Sequence, residues 1–314
     1  MPAAITDREQ RQHAFRPARA SHAAKAGGLG LALLLAMGAA SALQAEAASP
    51  PRTVVIGGTI AEIVAALGAQ DQLVGRDSTS THPETLQRLP DVGPMVQISA
   101  EGVLALTPEL ILADPGVKPP AAVEVLKASG VDYRVIPRVL TAEGVTDRIL
   151  ATAEVLGREE AGAELAAKVR ADLDEAKARA AAIPKSERVP VLAVISLAGG
   201  KIMTGGEGTT VDSLITLAGG INAGRGISGY KVITDEAVIA AAPRVILVSG
   251  DTGGPYASRE DSLAHPALAQ TPAARDDRIA TMDGLLLLGF GLRTGEAILQ
   301  LHETLYGPAA TKGQ

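Results

Sequence analysis

The chain has 314 residues, of which 46% are hydrophobic and 20% charged, so it can bury a sizeable core and is not a largely disordered protein. Aromatic residues make up 2% and the net charge is −6, which argues against a base-stacking nucleic-acid platform and against a general affinity for anionic surfaces. Cysteine is absent, which excludes disulfides, iron–sulfur clusters and cysteine catalysis.

The first 47 residues are typical of an export signal. Basic residues between Arg8 and Lys25 precede an apolar run at 29–43, and small residues surround Ala45-Glu46-Ala47 as in a cleavage site. The run is shorter than the roughly 20 residues that a membrane-spanning helix needs. We therefore predict a signal peptide at 1–47 and an acidic periplasmic mature protein, with a retained membrane anchor as the alternative.

From Arg52 onward, short β-branched runs alternate with helical stretches, a pattern typical of βαβ units and mostly parallel sheets. The predicted strands are Thr53–Ile56, Leu73–Val74, Leu110–Ala113, Tyr133–Ile136, Val191–Ile195, Val245–Val248 and Arg278–Thr281. The predicted helices between them are Ile60–Leu67, Ala121–Ala128, Val211–Leu217 and Arg293–Tyr306.

The middle of the mature chain departs from this alternation, because two helical stretches, 141–156 and 159–182, follow each other without a strand. The second spaces Leu165, Val169 and Leu173 four residues apart, and Pro184 ends it. We predict a long helix joining two α/β lobes. The expected divisions are a signal peptide at 1–47, an N-terminal lobe at 48–157, the connecting helix at 158–185 and a C-terminal lobe at 186–314.

An internal echo also supports two lobes. Glu101 stands seven residues before Pro108, Glu236 stands seven residues before Pro243, and an apolar strand begins two residues after each proline. A glutamate in the first turn stabilises a helix N-terminus, and a proline ends the helix before the strand. The repeat predicts that one carboxylate lies at an equivalent corner of each lobe.

Two loops are predicted to border a ligand cleft, because ligands of open α/β sheets bind beyond the carboxyl ends of the strands. The polar segment 75–83 follows a short strand and contains His82, which on the residues alone is either a solvated loop residue or part of a site. The glycine-rich segment 204–210 lacks the lysine of a phosphate-binding loop and is predicted to form a cleft wall. His265 is interpreted as a turn residue and His302 as a structural residue of the last helix.

Five segments in this order resemble the HmuT-like periplasmic haem-binding proteins of ABC importers, over roughly Arg52 to Tyr306. They are GRDSTSTHPE at 75–84, LPDVGPMVQISAEGVLALTPELILA at 89–113, GGEGTTVDSLITLAGGINA at 205–223, GYK at 229–231 and LLLGFGLRT at 286–294. The resemblance implies a class III binding-protein fold, α/β with two Rossmann-like lobes of mostly parallel sheet joined by one long rigid helix.

The resemblance also implies roles for particular residues. His82 matches the position of an axial haem ligand that is most often Tyr in the family, and a neutral imidazole is also a competent iron ligand. Arg76 and Arg293 are candidates for pairing with the haem propionates. The candidates for a second axial ligand or a rim contact are Tyr230, Tyr256 and Met203. Glu101 and Glu236 match the acidic residues that dock on the permease.

The resulting expectation is a monomeric haem carrier, with haem b as the transported ligand and no catalytic cofactor. Its partners would be haem, an inner-membrane permease and its ATPase, without nucleic acid. A ferric siderophore or cobalamin is the alternative cargo. A periplasmic enzyme is the second alternative, which the absence of a nucleophile–base motif and of a dinucleotide fingerprint disfavours.

Overall fold

The computed structural model describes residues 49–250 and 257–307. The predicted signal peptide therefore lies outside the described residues. Among the residues that are described, no helix has both the length and the apolar character required to cross a bilayer. The described residues from Pro50 to Gly307 form one compact unit.

The first lobe is built on a four-stranded parallel sheet in the order β2-β1-β3-β4. Its strands are β1 (Thr53–Ile56), β2 (Leu73–Arg76), β3 (Leu110–Ala113) and β4 (Asp132–Val135). The central strands β1 and β3 are buried along their whole length, as expected of parallel strands covered on both faces. Val55 and Leu112 belong to the core on one face, whereas Val54 and Ile111 belong to the core on the other.

The second lobe repeats this arrangement with the order β10-β9-β5-β7, again all parallel. The strands of this lobe are β5 (Pro190–Val194), β6 (Ile202–Gly205), β7 (Ile221–Asn222), β8 (Tyr230–Ile233), β9 (Val245–Ser249) and β10 (Ile279–Met282). Strands β6 and β8 pair separately as a two-stranded antiparallel sheet. Read from β7, the sheet order β7-β5-β9-β10 places the second, first, third and fourth parallel strands of the lobe side by side, as in the first lobe.

The helices of the first lobe and of the connection are α1 (Gly58–Ala66), α2 (Ala100–Leu104), α3 (Pro120–Ala128), α4 (Ala142–Val155) and α5 (Glu159–Ala181). Those of the second lobe are α6 (Thr210–Leu217), α7 (Asp235–Ala241), α8 (Arg259–Ala264), α9 (Pro266–Ala269), α10 (Pro272–Arg275), α11 (Gly284–Gly289) and α12 (Thr294–Tyr306). In each lobe a helix joins consecutive parallel strands, which is the connection that a parallel sheet requires.

The connecting helix α5 has 23 residues and at 1.5 Å per residue spans about 34 Å. Its buried stripe includes Val169, Leu173 and Ala176, and the helix packs between α4 and α12. These side chains belong to a core that also contains Ile63 of α1 and Val191 of β5. The connecting helix therefore packs one face on the core and leaves its other face exposed.

The predicted fold class is confirmed, with parallel sheets in two lobes. Strands β1 and β3 begin and end where the sequence predicts, and the other predicted elements are shifted by at most two residues at either end. The sequence pattern does not predict the β6–β8 sheet, the short strand β7 or the short helices α8 to α11. The proposed divisions at 157 and 185 stay a prediction.

Candidate functional site

A cleft of about 420 Å³ lies where the carboxyl ends of the strands of both lobes meet, within the usual size of a small-molecule site. The first lobe lines it with the β1–α1 turn, the loop after β2 and residues that follow β3 and β4. The second lobe lines it with the segment after β5, the β6–α6 loop, β8 and α11. The apolar lining residues are Pro94, Met95, Val96, Leu140, Ile195, Met203, Leu285 and Leu288.

The loop after β2 is organised by Asp77, whose side chain is fully buried. Its Oδ1 accepts hydrogen bonds from the Gly57 backbone N–H at 2.9 Å and the Ser80 hydroxyl at 2.7 Å. Its Oδ2 accepts hydrogen bonds from the Thr79 hydroxyl at 2.5 Å and the Thr79 backbone N–H at 3.1 Å. One carboxylate thus fixes Thr79, which lines the cleft, against the beginning of α1.

The β1–α1 turn approaches this loop closely. The Gly58 backbone N–H donates to the Thr79 hydroxyl at 3.0 Å. A Cβ at Gly58 would lie 2.3 Å from the Thr79 carbonyl oxygen, so a side chain there would displace the loop. The paired glycines therefore permit the tight turn between β1 and α1.

The first lobe also contains a cluster of charged residues at the cleft that the sequence pattern does not predict. Asp114 follows β3, and its Oδ2 accepts a hydrogen bond from Arg148 Nη2 at 2.7 Å and lies 3.5 Å from Arg138 Nη1. Arg148 is 1% exposed, whereas Arg138 is 27% exposed and lines the cleft together with Asp114. Burial lowers the pKa of Arg148, and Asp114 opposes this effect.

Two sequence signals could have revealed this cluster. Asp114 is a carboxylate directly after a buried parallel strand, the position that commonly faces a ligand. Arg148 falls on the stripe of α4 that also buries Val145 and Ile149, and an arginine on an apolar face requires a partner.

The opposite wall is formed by the β6–β8 sheet and the β6–α6 loop. Tyr230 on β8 shares a 2.6 Å hydrogen bond between its hydroxyl and that of Thr210, and burial raises the pKa of the phenol. Met203 on β6 is 36% exposed and also lines the cleft. Gly208, Thr209 and Thr210 line it as well, which agrees with the prediction that 204–210 forms a cleft wall.

His82 is exposed on the loop that Asp77 organises, and it is not among the residues that line the cleft. Partial burial and the charge of Arg293 both lower the pKa of its imidazole. The ring is thereby biased toward the neutral form, the form that can bind a metal. The role of His82 as a ligand stays a prediction.

The two predicted propionate-binding arginines are engaged in ion pairs and do not line the cleft. Arg76 donates from Nη1 to Asp91 Oδ2 at 2.9 Å and to the Asp77 carbonyl oxygen at 3.1 Å. Arg293 donates from Nε to Glu62 Oε1 at 2.8 Å, and its Nη2 donates to the same oxygen. The pairing of Arg76 and Arg293 with haem propionates stays a prediction.

The Glu62–Arg293 pair joins α1 of the first lobe to the start of α12 in the second. Burial raises the pKa of Glu62 from its usual 4.5 to about 7, although the hydrogen bond and charge of Arg293 oppose this shift. Next to the pair, the backbone of the Gly289–Gly291 turn packs on Thr59. A Cβ at Gly289 would lie 2.5 Å from the Thr59 side chain, and one at Gly291 2.7 Å.

Glu101 and Glu236 occupy equivalent corners of the two lobes. Each is exposed in the first turn of a short helix, α2 or α7, that precedes a central strand of its sheet. The hydroxyl of Thr234 and a backbone hydrogen bond lower the pKa of Glu236. The internal echo in the sequence thus corresponds to a repeated structure, whereas the docking role of these carboxylates stays a prediction.

The other two histidines in the described part of the chain, His265 and His302, do not line the cleft. His302 is buried in α12, where Nδ1 is 3.0 Å from the Ala218 carbonyl oxygen, in agreement with a structural role. His265 lies between α8 and α9, and its Nε2 is 3.2 Å from the Gly200 carbonyl oxygen. Tyr256, a candidate second ligand, lies outside the described residues.

Comparison with known proteins agrees with this architecture. The profile of the family described as "Periplasmic binding protein" matches residues 54–285. The chain belongs to this family. It has the class III fold, in which one long helix connects the two lobes, and it is the exported substrate-binding component of an ABC transporter.

Individual relatives bind different cargo or are uncharacterised. The solved periplasmic heme-binding protein BhuT, in complex with two hemes, is 37% identical with a TM-score of 0.75, covering 81% of this chain and 97% of that one. An uncharacterized ABC transporter substrate-binding lipoprotein, YvrC of Bacillus subtilis strain 168, is 25% identical over 78% of this chain and 76% of its own length. The vitamin B12-binding protein of Vibrio vulnificus strain CMCP6 is 25% identical over 82% of this chain and 91% of its own.

Proposed function

We propose that the protein captures haem in the periplasm and delivers it to an inner-membrane permease and its ATPase. The observation that carries the proposal is the 37% identity to a heme-binding protein over most of both chains. The cleft supports it, because aliphatic and methionine side chains from both lobes face each other across a space of suitable size. Burial of an apolar macrocycle between such walls supplies most of the binding free energy.

His82 is the proposed axial ligand of the haem iron. Three features support this role: its loop is fixed by Asp77, the same loop contributes Thr79 to the cleft, and the lowered pKa favours a neutral imidazole. Because the side chain is exposed, it is free to turn toward a ligand that enters the cleft. Tyr230 is the proposed contact on the opposite wall.

Glu101 and Glu236 are the proposed docking residues for the permease. Both carboxylates are exposed and lie at equivalent positions of the two lobes. Two negative charges, one on each lobe, fix the orientation of a partner that carries matching positive charges.

Cobalamin is the second candidate cargo. A vitamin B12-binding relative that covers most of this chain favours it, and the same two-lobed cleft is compatible with it. A composition with four Tyr, two Phe and no Trp leaves few aromatic side chains to enclose a corrin ring, which is why haem is the preferred cargo.

A titration with hemin followed by absorbance tests the function. We expect the purified protein to develop a Soret band that saturates as hemin is added. Cyanocobalamin should cause no comparable spectral change and should not compete with hemin for the protein. His82→Ala should shift the Soret maximum, because it removes the axial nitrogen, whereas the control His265→Ala should leave the maximum unchanged.

The possible outcomes separate the proposals. An unchanged Soret band in His82→Ala would exclude His82 as ligand without excluding haem transport. Saturable binding of cyanocobalamin with no response to hemin would replace haem by cobalamin as the cargo.

A further inference from the structure

The walls of the cleft carry an excess of positive charge at one place. Among the described residues that line the cleft, Asp114 and Arg138 are the ones with a formal charge. Asp114 has a second partner, because buried Arg148 binds the same carboxylate oxygen from behind. Two guanidinium groups therefore share one carboxylate, which leaves about one unit of positive charge at this wall.

The two arginines are not held equally. Arg148 Nη2 donates to Asp114 Oδ2 at 2.7 Å, and Asp114 Oδ1 accepts from the Gly116 backbone N–H at 2.7 Å. Both oxygens of Asp114 are thus engaged by groups that are permanently in place. A buried arginine needs such a carboxylate, because an unpaired buried charge is strongly destabilising.

Arg138 is the more weakly held member. Its Nη1 is 3.5 Å from Asp114 Oδ2, longer than a charge-assisted hydrogen bond. Within the described part of the chain its guanidinium group donates no hydrogen bond, while the side chain is 27% exposed at the cleft. Its donors are therefore available to a ligand.

Arg138 lines the cleft from the first lobe, and Tyr230 lines it from the second. A ligand held between the two lobes would therefore lie within reach of the guanidinium group of Arg138.

We infer that Arg138, held in place by the Asp114–Arg148 ion pair, anchors a carboxylate of the ligand at the wall of the first lobe. The inference rests on the proposed function and makes it more specific. It assigns selectivity for a macrocycle that carries carboxylates, such as the propionates of haem, to a residue other than Arg76 and Arg293. A planar guanidinium group matches a carboxylate with two parallel hydrogen bonds.

A comparison of the affinities for hemin and for hemin dimethyl ester tests this role, because esterification removes both propionate charges and leaves the ring and iron unchanged. We expect the wild-type protein to bind hemin more tightly than the ester. Arg138→Gln should lose roughly tenfold or more of the affinity for hemin and little of the affinity for the ester. The hemin affinity of Arg138→Lys should lie between those of the wild type and Arg138→Gln, since lysine keeps the charge without the planar guanidinium group.

Arg134→Gln is the matched control, because Arg134 lies on β4 four residues earlier, is exposed and pairs with Asp132 outside the cleft. It should bind both compounds as the wild type does. Equal losses for hemin and the ester in Arg138→Gln, or no loss for either, would overturn the inference and leave haem transport standing. If the wild-type protein binds no hemin at all, the proposed function itself fails.

Discussion

Asp77 is the residue on which the shape of the cleft rim depends most directly. All four of its partners donate to it, and two of them are backbone N–H groups that cannot reverse their role. Asp77→Asn replaces one acceptor oxygen with an N–H donor, so at least one buried donor faces another. We expect a loss of about 1–3 kcal/mol in the free energy of unfolding together with weaker hemin binding.

Denaturant unfolding and hemin titration of the same variant measure the two effects. Asp71→Asn is the control, because Asp71 is an exposed carboxylate on the short turn before β2. Wild-type hemin affinity in Asp77→Asn would show that the loop does not need this carboxylate to present its cleft residues.

At the scale of single residues, the sequence predicts which loops lie at the cleft better than it predicts contacts between individual side chains. The segment 75–83 is recognisable because a polar run follows a strand, and the structure places Thr79 of this run in the cleft. The sequence does not indicate in the same way which arginine lies at the cleft. Arg293 pairs with a glutamate 231 residues away, and Arg138 lies beside Asp114, which follows a different strand, so neither contact leaves a local pattern.

At the scale of secondary-structure elements, the sequence predicts buried strands more accurately than exposed ones. Strands β1 and β3 were located to the residue, because each is a fully buried run of aliphatic side chains. Strand β8 is mostly exposed, and its partner β6 lies more than 20 residues earlier. Without an apolar alternation or a short hairpin loop, no local signal predicts this pair.

The corners that carry Glu101 and Glu236 repeat even in backbone detail. Thr107 and Ala242 both adopt a positive φ, 47° and 41°, and each directly precedes a proline that leads into a central strand. The same turn thus ends α2 and α7, and it sets Glu101 and Glu236 at matching places. This repetition supports a common role for the two carboxylates.

Glu101→Gln combined with Glu236→Gln tests that role. We expect hemin affinity to stay at the wild-type value, since neither residue lines the cleft. Stimulation of the cognate transporter's ATPase in proteoliposomes should require about tenfold more protein, because two charge pairs with the permease are lost.

The control is Glu164→Gln combined with Glu260→Gln, which removes two other exposed carboxylates, one on the connecting helix and one on α8. It should stimulate the transporter as the wild type does. Equal stimulation by both double variants would refute the docking assignment.

At the scale of the whole molecule, the lobes are joined by more than the connecting helix. Ile63 of α1 belongs to the same core as α5 and α12, and the Gly289–Gly291 turn packs on Thr59. The long helix was predictable from its own four-residue spacing. The contact between α1 and α12 was not, because it joins Glu62 and Arg293, which are 231 residues apart in the sequence.

The buried Glu62–Arg293 pair makes the stability of this contact depend on pH. Burial raises the pKa of Glu62 to about 7 in the folded protein, against 4.5 for an unperturbed side chain, while Asp283 and Glu296 add to the increase. Between these values the folded state holds a proton that the unfolded state has released. The stability that Glu62 contributes is therefore greatest below pH 4.5, declines as the pH rises to about 7, and is constant above it.

The variant Glu62→Gln keeps a hydrogen-bond acceptor for Arg293 and does not titrate. The stability of the wild type relative to this variant should fall by about 3 kcal/mol between pH 4.5 and pH 7, measured by denaturant unfolding at a series of pH values. Glu296→Gln, which removes an exposed carboxylate nearby, should retain most of the wild-type pH dependence. Parallel stability curves for the wild type and Glu62→Gln would mean that Arg293 compensates fully for the burial of the carboxylate, so that the contact between α1 and α12 is insensitive to pH.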